Sequence, residues 1–229
     1  MGRKQADRTG GDLRDYPRYS TREAAGYLGI PESTLKEWIR AYSRRRNYGS
    51  PRQYDGIIQI ADPQRGLLSF LNLAEAHILR ATRQRNVPLD SVRSAIEYIR
   101  ERNPGEPHPL LRPDFATHGK SVFIRELGLS IDASKHGQTV MKSIIDRHLQ
   151  RIKRAPDGLP EELTPMYSKK IAINPRFSSG QPIVAGTGIM VSILAARRAA
   201  GESLRELATD YGIKPYTIDR AIKDFAAAA

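Results

Sequence analysis

The sequence predicts a mainly α-helical protein of the α+β class, with an N-terminal winged helix-turn-helix and a C-terminal three-helix, helix-turn-helix-like domain. Residues 19–42 have the pattern of two short amphipathic helices joined by a glycine turn, and residues 203–218 repeat that pattern. Short β-branched runs beside proline and glycine turns lie between the two motifs, and they predict small hairpins rather than an extended sheet.

The first predicted helix begins after Ser20, with Glu23 three residues further along. This spacing is typical of a capping box, in which each of the two side chains accepts a hydrogen bond from the backbone N–H of the other residue. Gly29 can end the helix, because glycine adopts a left-handed conformation without a steric penalty. Ile30 and Pro31 then carry the chain into a second helix.

The second predicted helix has one apolar face, formed by Leu35, Trp38 and Ile39, and Ser33 or Thr34 can cap it. In a helix-turn-helix the second helix enters the major groove of DNA, and its N-terminal residues contact base edges. We therefore expect its polar face to contact DNA, with the two capping candidates nearest the bases. The residues concerned are Ser33, Thr34, Lys36 and Arg40. The alternative is a helical corner whose charged residues are merely solvated.

Three arginines follow, Arg44, Arg45 and Arg46, and they are expected to extend the second helix or its exit. A run of charges usually forms a solvated surface. Beside a recognition helix, however, it favours a clamp on DNA phosphates.

A hairpin is predicted next, from Ile57–Ile60 to Leu67–Phe70 around the turn Asp62–Gly66. After a helix-turn-helix such a hairpin would be a wing, from which Arg52 or Arg65 could reach the DNA backbone or the minor groove. Alternatively, the hairpin only covers the core.

The middle of the chain is expected to be helical with a small hairpin and a linker. Helices are predicted over residues 73–85, capped by Asn72 and Glu75, over 89–102, and over 139–154. Residues 115–124 read as a hairpin and 127–131 as a third strand, whereas Asp157–Pro160 reads as a linker. We therefore divide the chain into a basic arm (1–18), a winged helix-turn-helix (19–103), a connector (104–168) and a C-terminal domain (169–229).

The C-terminal domain is predicted to contain short extended segments and three helices, over residues 191–200, 203–211 and 215–227. Sliding the chain against itself by 183 residues aligns residues 20–35 with 203–218, and seven positions are identical. The cap, the turn glycine and the isoleucine after it all recur. The second motif is less basic, because Arg220 and Lys223 are offset by Asp219 and Asp224. It could contact DNA or form a dimer interface.

Composition favours an anionic partner. The chain has 229 residues, a formal net charge of +12 and a pI of about 10.1. It has no cysteine, no apolar run long enough to span a bilayer, and no histidine pair at metal-ligand spacing. A nucleophile motif is also missing, and the turn Gly186-Thr187-Gly188 lacks the other residues of a nucleotide-binding loop. We expect a cytoplasmic protein with no metal, cofactor, membrane contact or enzymatic activity.

Three segments carry a resemblance to known families. The stretch YSTREAAGYLGIPESTLKEW resembles the helix-turn-helix of MerR-type regulators, and LLSFLNLAEAHILRATRQRNVPLDSVRSAIEYI resembles the helical segment after that motif in two-domain VapB-type antitoxins. The tail INPRFSSGQPIVAGTGIMVSILAARRAAGESLRELATDYGI is similar to a small domain-of-unknown-function family, commonly encoded beside PIN-like ribonuclease toxins. That family usually has Gly-Thr-Arg in its turn, and Gly188 stands here in place of the arginine.

The resemblance implies an antitoxin that neutralises a PIN-like ribonuclease toxin and binds operator DNA, as a homodimer, to repress its own operon. A basic antitoxin segment can occupy the acidic, metal-binding pocket of such a nuclease. The C-terminal candidates for this contact are Lys169, Lys170, Arg176, Arg197 and Arg198.

Two other functions remain open from the sequence. One is a MerR-like, ligand-sensing transcriptional regulator without a toxin, which would need a roomy pocket within residues 104–168. The other is a chromosome-organising protein that covers DNA without sequence preference.

Overall fold

The structure is a computed structural model, and it describes residues 12–44, 52–116, 119, 121, 123–124 and 135–228. Helices predominate among them and the strands pair only in twos, which confirms the mainly α fold class. Within this part of the chain no helix is both long and apolar enough to cross a bilayer. The elements of the N-terminal half are β1 (Tyr19–Ser20), α1 (Thr21–Leu28), α2 (Glu32–Ile39), β2 (Tyr42–Arg44), β3 (Arg52–Tyr54), β4 (Leu67–Leu68), α3 (Phe70–Arg83) and α4 (Leu89–Arg102).

The C-terminal half alternates small hairpins and helices. Its elements are α5 (Lys135–Leu149), β5 (Ile152–Arg154), β6 (Pro160–Leu163), β7 (Ile171–Ala172), β8 (Ile183–Val184), α6 (Val191–Ala199), α7 (Leu204–Tyr211) and α8 (Pro215–Ala228). Helix α3 packs against α5, whereas α6 and α7 pack against α8. Buried apolar side chains form two clusters, a larger one from Tyr19 to Ile173 and a smaller one from Ile171 to Ala221, and Phe225 of α8 packs against both. The boundary at residue 168 stays a prediction.

Helix α1 has the predicted caps. The Ser20 hydroxyl accepts a hydrogen bond from the Glu23 backbone N–H at 3.2 Å, and the Glu23 carboxylate accepts one from the Ser20 N–H at 2.9 Å. Gly29 ends the helix in the left-handed region, with φ at 61°. This capping box and glycine turn confirm the start and the end predicted for the first helix.

Helix α2 begins earlier and ends earlier than predicted. Its N-cap residue is Pro31, which has no side-chain cap, so neither Ser33 nor Thr34 caps it. Because residues four apart share a helix face, Thr34 lies on the same side as Trp38, and its side chain is buried with 4% exposure. The expectation that Thr34 faces DNA is therefore wrong. The helix ends at Ile39, and Arg44 lies in a strand instead of a helical extension.

The hairpin after α2 differs from the predicted one. Strands β2 and β3 pair antiparallel and place Arg44 opposite Arg52. In the predicted hairpin only Asp62 and Leu67 form a bridge, and β4 pairs with β1 instead, with Leu68 opposite Tyr19. Two-residue strands carry no alternation that would reveal this distant pairing.

The caps of α3 are shifted relative to the prediction. Ser69 and Asn72 form the capping box, with both hydrogen bonds at 3.1 Å, so α3 begins at Phe70 rather than at residue 73. Glu75 is a buried residue of α3 with 2% exposure and has no capping role. Helix α4 spans residues 89–102 as predicted.

The connector also differs from the prediction. Pro113–Ala116 form a 3₁₀ turn and residues 119, 121, 123 and 124 are helical, so the hairpin predicted over 115–124 is wrong. The reason is that Phe115 and Phe123 both point into the core, with ring centroids 5.9 Å apart. The strand predicted over 127–131 lies outside the described residues.

Residues 157–160 form the end of a hairpin, not a linker. Helix α5 ends at Leu149, and Ile152 pairs with Leu163 in the β5–β6 hairpin. Ile152 continues the apolar stripe of α5 in the sequence, and for this reason the predicted helix ended at residue 154, too far along the chain. Arg14 anchors the turn by donating hydrogen bonds to both Asp157 oxygens, at 2.5 and 3.0 Å.

The internal repeat has a structural counterpart. Ser203 and Glu206 form a capping box on α7, and Gly212 ends that helix with φ at 64°. The Ile213 N–H donates to the Ala208 carbonyl at 3.2 Å, and the equivalent bond in the first motif measures 3.0 Å. The two motifs therefore share their cap, turn and entry into the second helix. The three predicted C-terminal helices are confirmed.

Two tyrosines of the N-terminal segment join the first motif to the loop before β8. The Tyr19 hydroxyl donates to the Gly180 carbonyl at 2.9 Å, and the Tyr27 hydroxyl to the Gln181 side chain at 2.6 Å. Gly180 has φ at 74°, and a Cβ there would lie 2.2 Å from the Tyr19 hydroxyl, so only glycine fits. Helix α8 packs against α1 nearby.

The buried His108 and Glu75, together with the exposed Asp15, form an ionic cluster that ties the N-terminal segment to the core. Both nitrogens of His108 face carboxylates, Glu75 at 2.9 Å and Asp15 at 3.3 Å. Burial lowers the pKa of His108, but the hydrogen bond to Glu75 and the charges of both carboxylates raise it further, so the pKa lies above its usual value. Since an imidazolium donates from both nitrogens, this geometry fits the charged form.

Candidate nucleic-acid interface

Helix α2 has one buried and one exposed face. Leu35 and Trp38 are 0% and 1% exposed, whereas Ser33, Lys36 and Arg40 are exposed. An eight-residue helix is marginal on its own, so this packing is what keeps it formed. The result is a short, fixed helix with polar side chains directed outward.

The surroundings of α2 fix its position. The Ile58 N–H donates to the Trp38 carbonyl at 3.0 Å, which joins the end of α2 to the chain after the β2–β3 hairpin. Arg100 of α4 donates to the carbonyls of Gly56 and Ile57 at 3.0 and 2.8 Å. At the other end, Arg80 of α3 donates to the last carbonyl of α1, that of Leu28, at 2.6 Å. The orientation of α2 is thus set by two longer helices.

The exposed face of α2 carries charges that DNA could recruit. Lys36 forms an ion pair with Glu32 at 2.9 Å, and the two side chains are 56% and 39% exposed. Exposed pairs of this kind contribute little to stability, so Lys36 can exchange its carboxylate for a phosphate at small cost. Arg40 lies at the C-cap, where the chain turns toward the hairpin.

The predicted arginine clamp is only partly described. Arg44 and Arg52 lie opposite each other in the β2–β3 hairpin, which directly follows α2, although their side chains are outside the described part. Arg45 and Arg46 lie outside the described residues altogether. Arg65 is exposed on the turn before β4, where its N–H donates to Asp62 at 3.0 Å. Their role as DNA contacts stays a prediction.

The predicted toxin contacts fall into distinct environments. Arg197 forms ion pairs with Glu202 and with Asp210, and the hydrogen bond to Glu202 is the main cause of a pKa above the usual value. Arg198 donates to the Glu202 carbonyl at 2.8 Å. Arg176 is exposed next to Phe177, whose side chain is 48% exposed. Arg197 and Arg198 thus already have partners within the C-terminal domain.

Lys169 and Lys170 line a basic cleft beside α8, with a volume of about 500 Å³. Lys170 lies 5.9 Å from the ring centroid of Tyr216, a residue that is 69% exposed. Sequence analysis did not single out Tyr216, although the repeat aligns it with Ser33. The charged residues that line the cleft, together with Tyr216, are Arg151, Lys169, Lys170, Arg220 and Asp224.

In the described portion of the chain, no three or more His, Asp or Glu side chains are grouped so that they could hold a metal ion. Two of the buried histidines donate to carbonyls: His77 of α3 to the His148 carbonyl at 3.1 Å, and His148 to the Ile144 carbonyl at 3.0 Å.

Comparisons with known proteins agree with this architecture. Residues 17–96 match a family described as "Putative DNA-binding HTH domain", which contains both helices of the first motif. A Mycobacterium tuberculosis protein named "Putative antitoxin VapB45" is 31% identical over 230 residues, an alignment that covers 93% of this chain and 95% of that protein. The chain belongs to the VapB45 family. Residues 171–223 further match a family described as "Protein of unknown function (DUF433)".

Two more proteins are similar to this VapB45-family chain over nearly its whole length. The uncharacterized protein Rv2308 of M. tuberculosis is 28% identical, and the alignment covers 95% of this chain and 94% of that protein. The crystal structure of Rv2018 from M. tuberculosis has a TM-score of 0.67 at 26% identity, and it covers 91% of this chain and 98% of that chain. The predicted antitoxin family with a helix-turn-helix is thereby confirmed, whereas the MerR likeness and the PIN-like toxin stay predictions.

Proposed function

We propose that this protein is a DNA-binding antitoxin that binds operator DNA through α2 and represses its own operon. The observation that carries the proposal is the division of α2 into a buried apolar face and an exposed face with Ser33, Lys36 and Arg40. The family supports it, because one full-length relative is named an antitoxin and the N-terminal segment matches a DNA-binding family.

In the proposed complex α2 lies in the major groove. Ser33, in its first turn, is nearest the base edges, and Lys36 and Arg40 lie one and two turns further along on the same face. Arginine can form two hydrogen bonds with a guanine edge, whereas lysine contacts phosphate as a point charge. The β2–β3 hairpin follows α2 as a wing, so Arg44 and Arg52 are proposed phosphate contacts. Arg45, Arg46 and Arg65 stay candidates for the same role.

Removing the two cations of α2 tests this proposal. We expect Arg40→Ala to lose about 1–3 kcal/mol of operator binding and to relax base preference at one position. Lys36→Ala should weaken binding to all duplexes alike and reduce the slope of log K against log salt by about 0.9. Fluorescence anisotropy with 30-base-pair duplexes tiled upstream of the gene measures both effects.

Arg85→Ala is the matched control, because this arginine is exposed after α3 and outside the proposed surface. Its affinity and salt slope should equal those of the unmodified protein. If Arg40→Ala keeps both operator affinity and base preference, α2 does not read DNA.

We propose that the homodimer is the operator-binding form. Two copies of a helix-turn-helix contact half-sites about one helical turn apart, roughly 34 Å, so a palindromic operator with that spacing is expected. Nuclease protection of two such half-sites would support this arrangement, and protection of a single site would contradict it.

The proposed partner is a PIN-like ribonuclease toxin, which the C-terminal domain would neutralise. Arg176 and Phe177 suit a protein partner, because a cation suits an acidic nuclease pocket and a half-exposed aromatic ring gains from burial. Arg197 and Arg198 would first have to leave Glu202. We expect Arg176→Glu/Phe177→Ser to lose co-purification with the co-expressed product of the neighbouring gene. The control Leu13→Ser/Lys142→Glu makes the same kinds of change at exposed residues elsewhere and should retain it.

Ligand sensing is a second candidate, because one cavity favours it. About 230 Å³ of space lies between α1 and α8, lined mainly by Gly26, Tyr27, Tyr167 and Phe225. It lies between the two motifs and not within residues 104–168 alone. Native mass spectrometry of protein purified from its host would show a bound small molecule if this cavity is a sensor, and protein mass alone if it is not.

A further inference from the structure

The second helix-turn-helix presents the same kind of surface as the first. Its caps and turn bonds match those of the first motif, so α8 corresponds to α2, the helix that the proposed function places against DNA. The repeat places Tyr216 where Ser33 stands, and Arg220 and Lys223 where Glu37 and Arg40 stand. These three side chains are 69%, 55% and 68% exposed, comparable to the 56% of Lys36. Packing of α8 against α1 therefore leaves its outer face open.

A basic cleft flanks that outer face. It is lined on one side by Tyr216, Arg220 and Asp224, which stand one turn apart along α8. Lys169, Lys170 and Arg151 form part of the other side, so four cations face a single carboxylate. Asp224 is only 10% exposed and pairs with Arg220 at 2.9 Å. The cleft is thus positive at its mouth.

The two lysines that line the cleft outside α8 distinguish it from an ordinary charged surface. Among the described residues, neither Lys169 nor Lys170 has a carboxylate partner, in contrast to Arg197, Lys223 and Arg220. Proteins usually pair cations or leave them on convex, solvated surface, whereas a concave wall of unpaired lysines concentrates positive potential. A polyanion is the ligand that this potential attracts.

We infer that the outer face of α8 and the Lys169–Lys170 wall form a second binding surface for double-stranded DNA. The helix of a helix-turn-helix lies in the groove, and cations beside it contact the phosphates on the groove edge. Tyr216 occupies the position nearest the bases, where its ring can contact a thymine methyl group or sugar. Lys169 and Lys170 are thereby assigned to phosphate, although the sequence suggested them as toxin contacts.

Duplex DNA fits this surface better than an acidic protein does. Protein interfaces depend on buried aromatic and apolar anchors, and the cleft offers mostly charged and polar side chains. The more apolar Phe177 does not line it. The repeat also indicates which face of the second motif would contact DNA. That face corresponds to the one that the first motif is proposed to present to its duplex.

The test compares four full-length proteins by fluorescence anisotropy on the same 30-base-pair duplexes, from 50 to 300 mM KCl. They are the unmodified protein, Lys169→Ala/Lys170→Ala, the first-surface variant Lys36→Ala/Arg40→Ala, and the control Arg85→Ala/Lys142→Ala. All of the substituted residues except Lys170, which is half-buried, are exposed, and each variant loses two positive charges. Circular dichroism checks that each one is folded.

We expect Lys169→Ala/Lys170→Ala to reduce the salt slope by about 1.8 and the affinity at 150 mM KCl by about tenfold, because two phosphate contacts are lost. The control should leave both values unchanged. Slope and affinity equal to those of the control would overturn the inference. So would unchanged DNA binding combined with lost co-purification of the neighbouring gene product, since the cleft would then bind the toxin.

The first-surface variant separates this inference from the proposed function. If it binds DNA normally while Lys169→Ala/Lys170→Ala does not, α2 is not the operator reader and the second surface stands alone. If only the first-surface variant loses binding, the operator proposal holds and the second surface is wrong. Tyr216→Ala should lose affinity where Tyr216→Phe retains it, because the ring and not the hydroxyl makes the proposed contact.

Discussion

Trp38→Ala is expected to lower the free energy of unfolding by about 3–5 kcal/mol, because it leaves a large cavity under α2. Trp38 is 1% exposed, and its carbonyl holds the chain after the hairpin through Ile58. The short helix depends on this packing, so operator binding should be lost together with stability. Urea unfolding followed by circular dichroism measures the loss, and anisotropy measures the binding.

Trp38→Phe is the control for this prediction. It keeps an aromatic ring in the core and should lose about 1–2 kcal/mol while retaining DNA binding. A Trp38→Ala protein with an unchanged unfolding midpoint would mean that α2 does not pack through this face.

His108→Ala is expected to lower the free energy of unfolding by a similar amount, about 3–5 kcal/mol, because it leaves the Glu75 carboxylate buried without its partner. Glu75 is 2% exposed, and burial raises its pKa against the opposing effect of the His108 hydrogen bond. The double variant Glu75→Gln/His108→Gln should lose less than the sum of its single variants, because it removes both charges together. If the double variant loses as much free energy of unfolding as the two single variants together, Glu75 and His108 do not interact.

The shifted pKa values of the buried histidines also predict how the free energy of unfolding changes with pH. His108 has a raised pKa in the folded state, so its contribution to stability is fully present below the unfolded value of about 6.5 and is lost as the pH rises from there through the higher folded-state pKa. Burial lowers the pKa of His77 to about 3 and also lowers that of His148, so these groups reduce stability as the pH falls below about 6.5. Glu75 acts in the same direction as His108, because a carboxyl with a raised pKa also loses stability as the pH rises. Glu75→Gln/His108→Gln should therefore remove the loss of stability above pH 6.5 and keep the loss below it. Unfolding midpoints between pH 5 and 9 would show the difference.

Local signals predicted the elements that depend on local chemistry. Ser20 with Glu23, Ser203 with Glu206, and the two turn glycines satisfy backbone groups within a few residues, so their spacing was enough. The same holds for α4 and the C-terminal helices, whose apolar stripes match the helical period.

Elements that depend on distant contacts were not predictable in this way. Strand β4 pairs with β1, nearly fifty residues away, and nothing near Leu67 signals that partner. Ile152 fits a helical stripe, yet it pairs with Leu163 once α5 has ended. Phe115 and Phe123 sit in helical turns because both rings reach the core.

The candidate site was located from sequence, but its details were not. The motif pointed to α2, yet its N-cap is Pro31 and not Ser33, and Thr34 lies on the buried face with Trp38. The basic cleft joins Arg151 and Lys170 to Tyr216, residues that only tertiary packing brings together. The aligned repeat could have suggested Tyr216, because it stands where Ser33 does.

Photo-crosslinking tests the proposal that α2 contacts DNA most directly. A benzoylphenylalanine side chain is placed in the full-length protein at Ser33, on the exposed face of α2, or at Lys142, on the exposed surface of α5. Each protein is irradiated with labelled operator duplex. We expect crosslinks to DNA from position 33 and none from position 142. Retained binding with no crosslink from position 33 would contradict the assignment of α2 to the major groove.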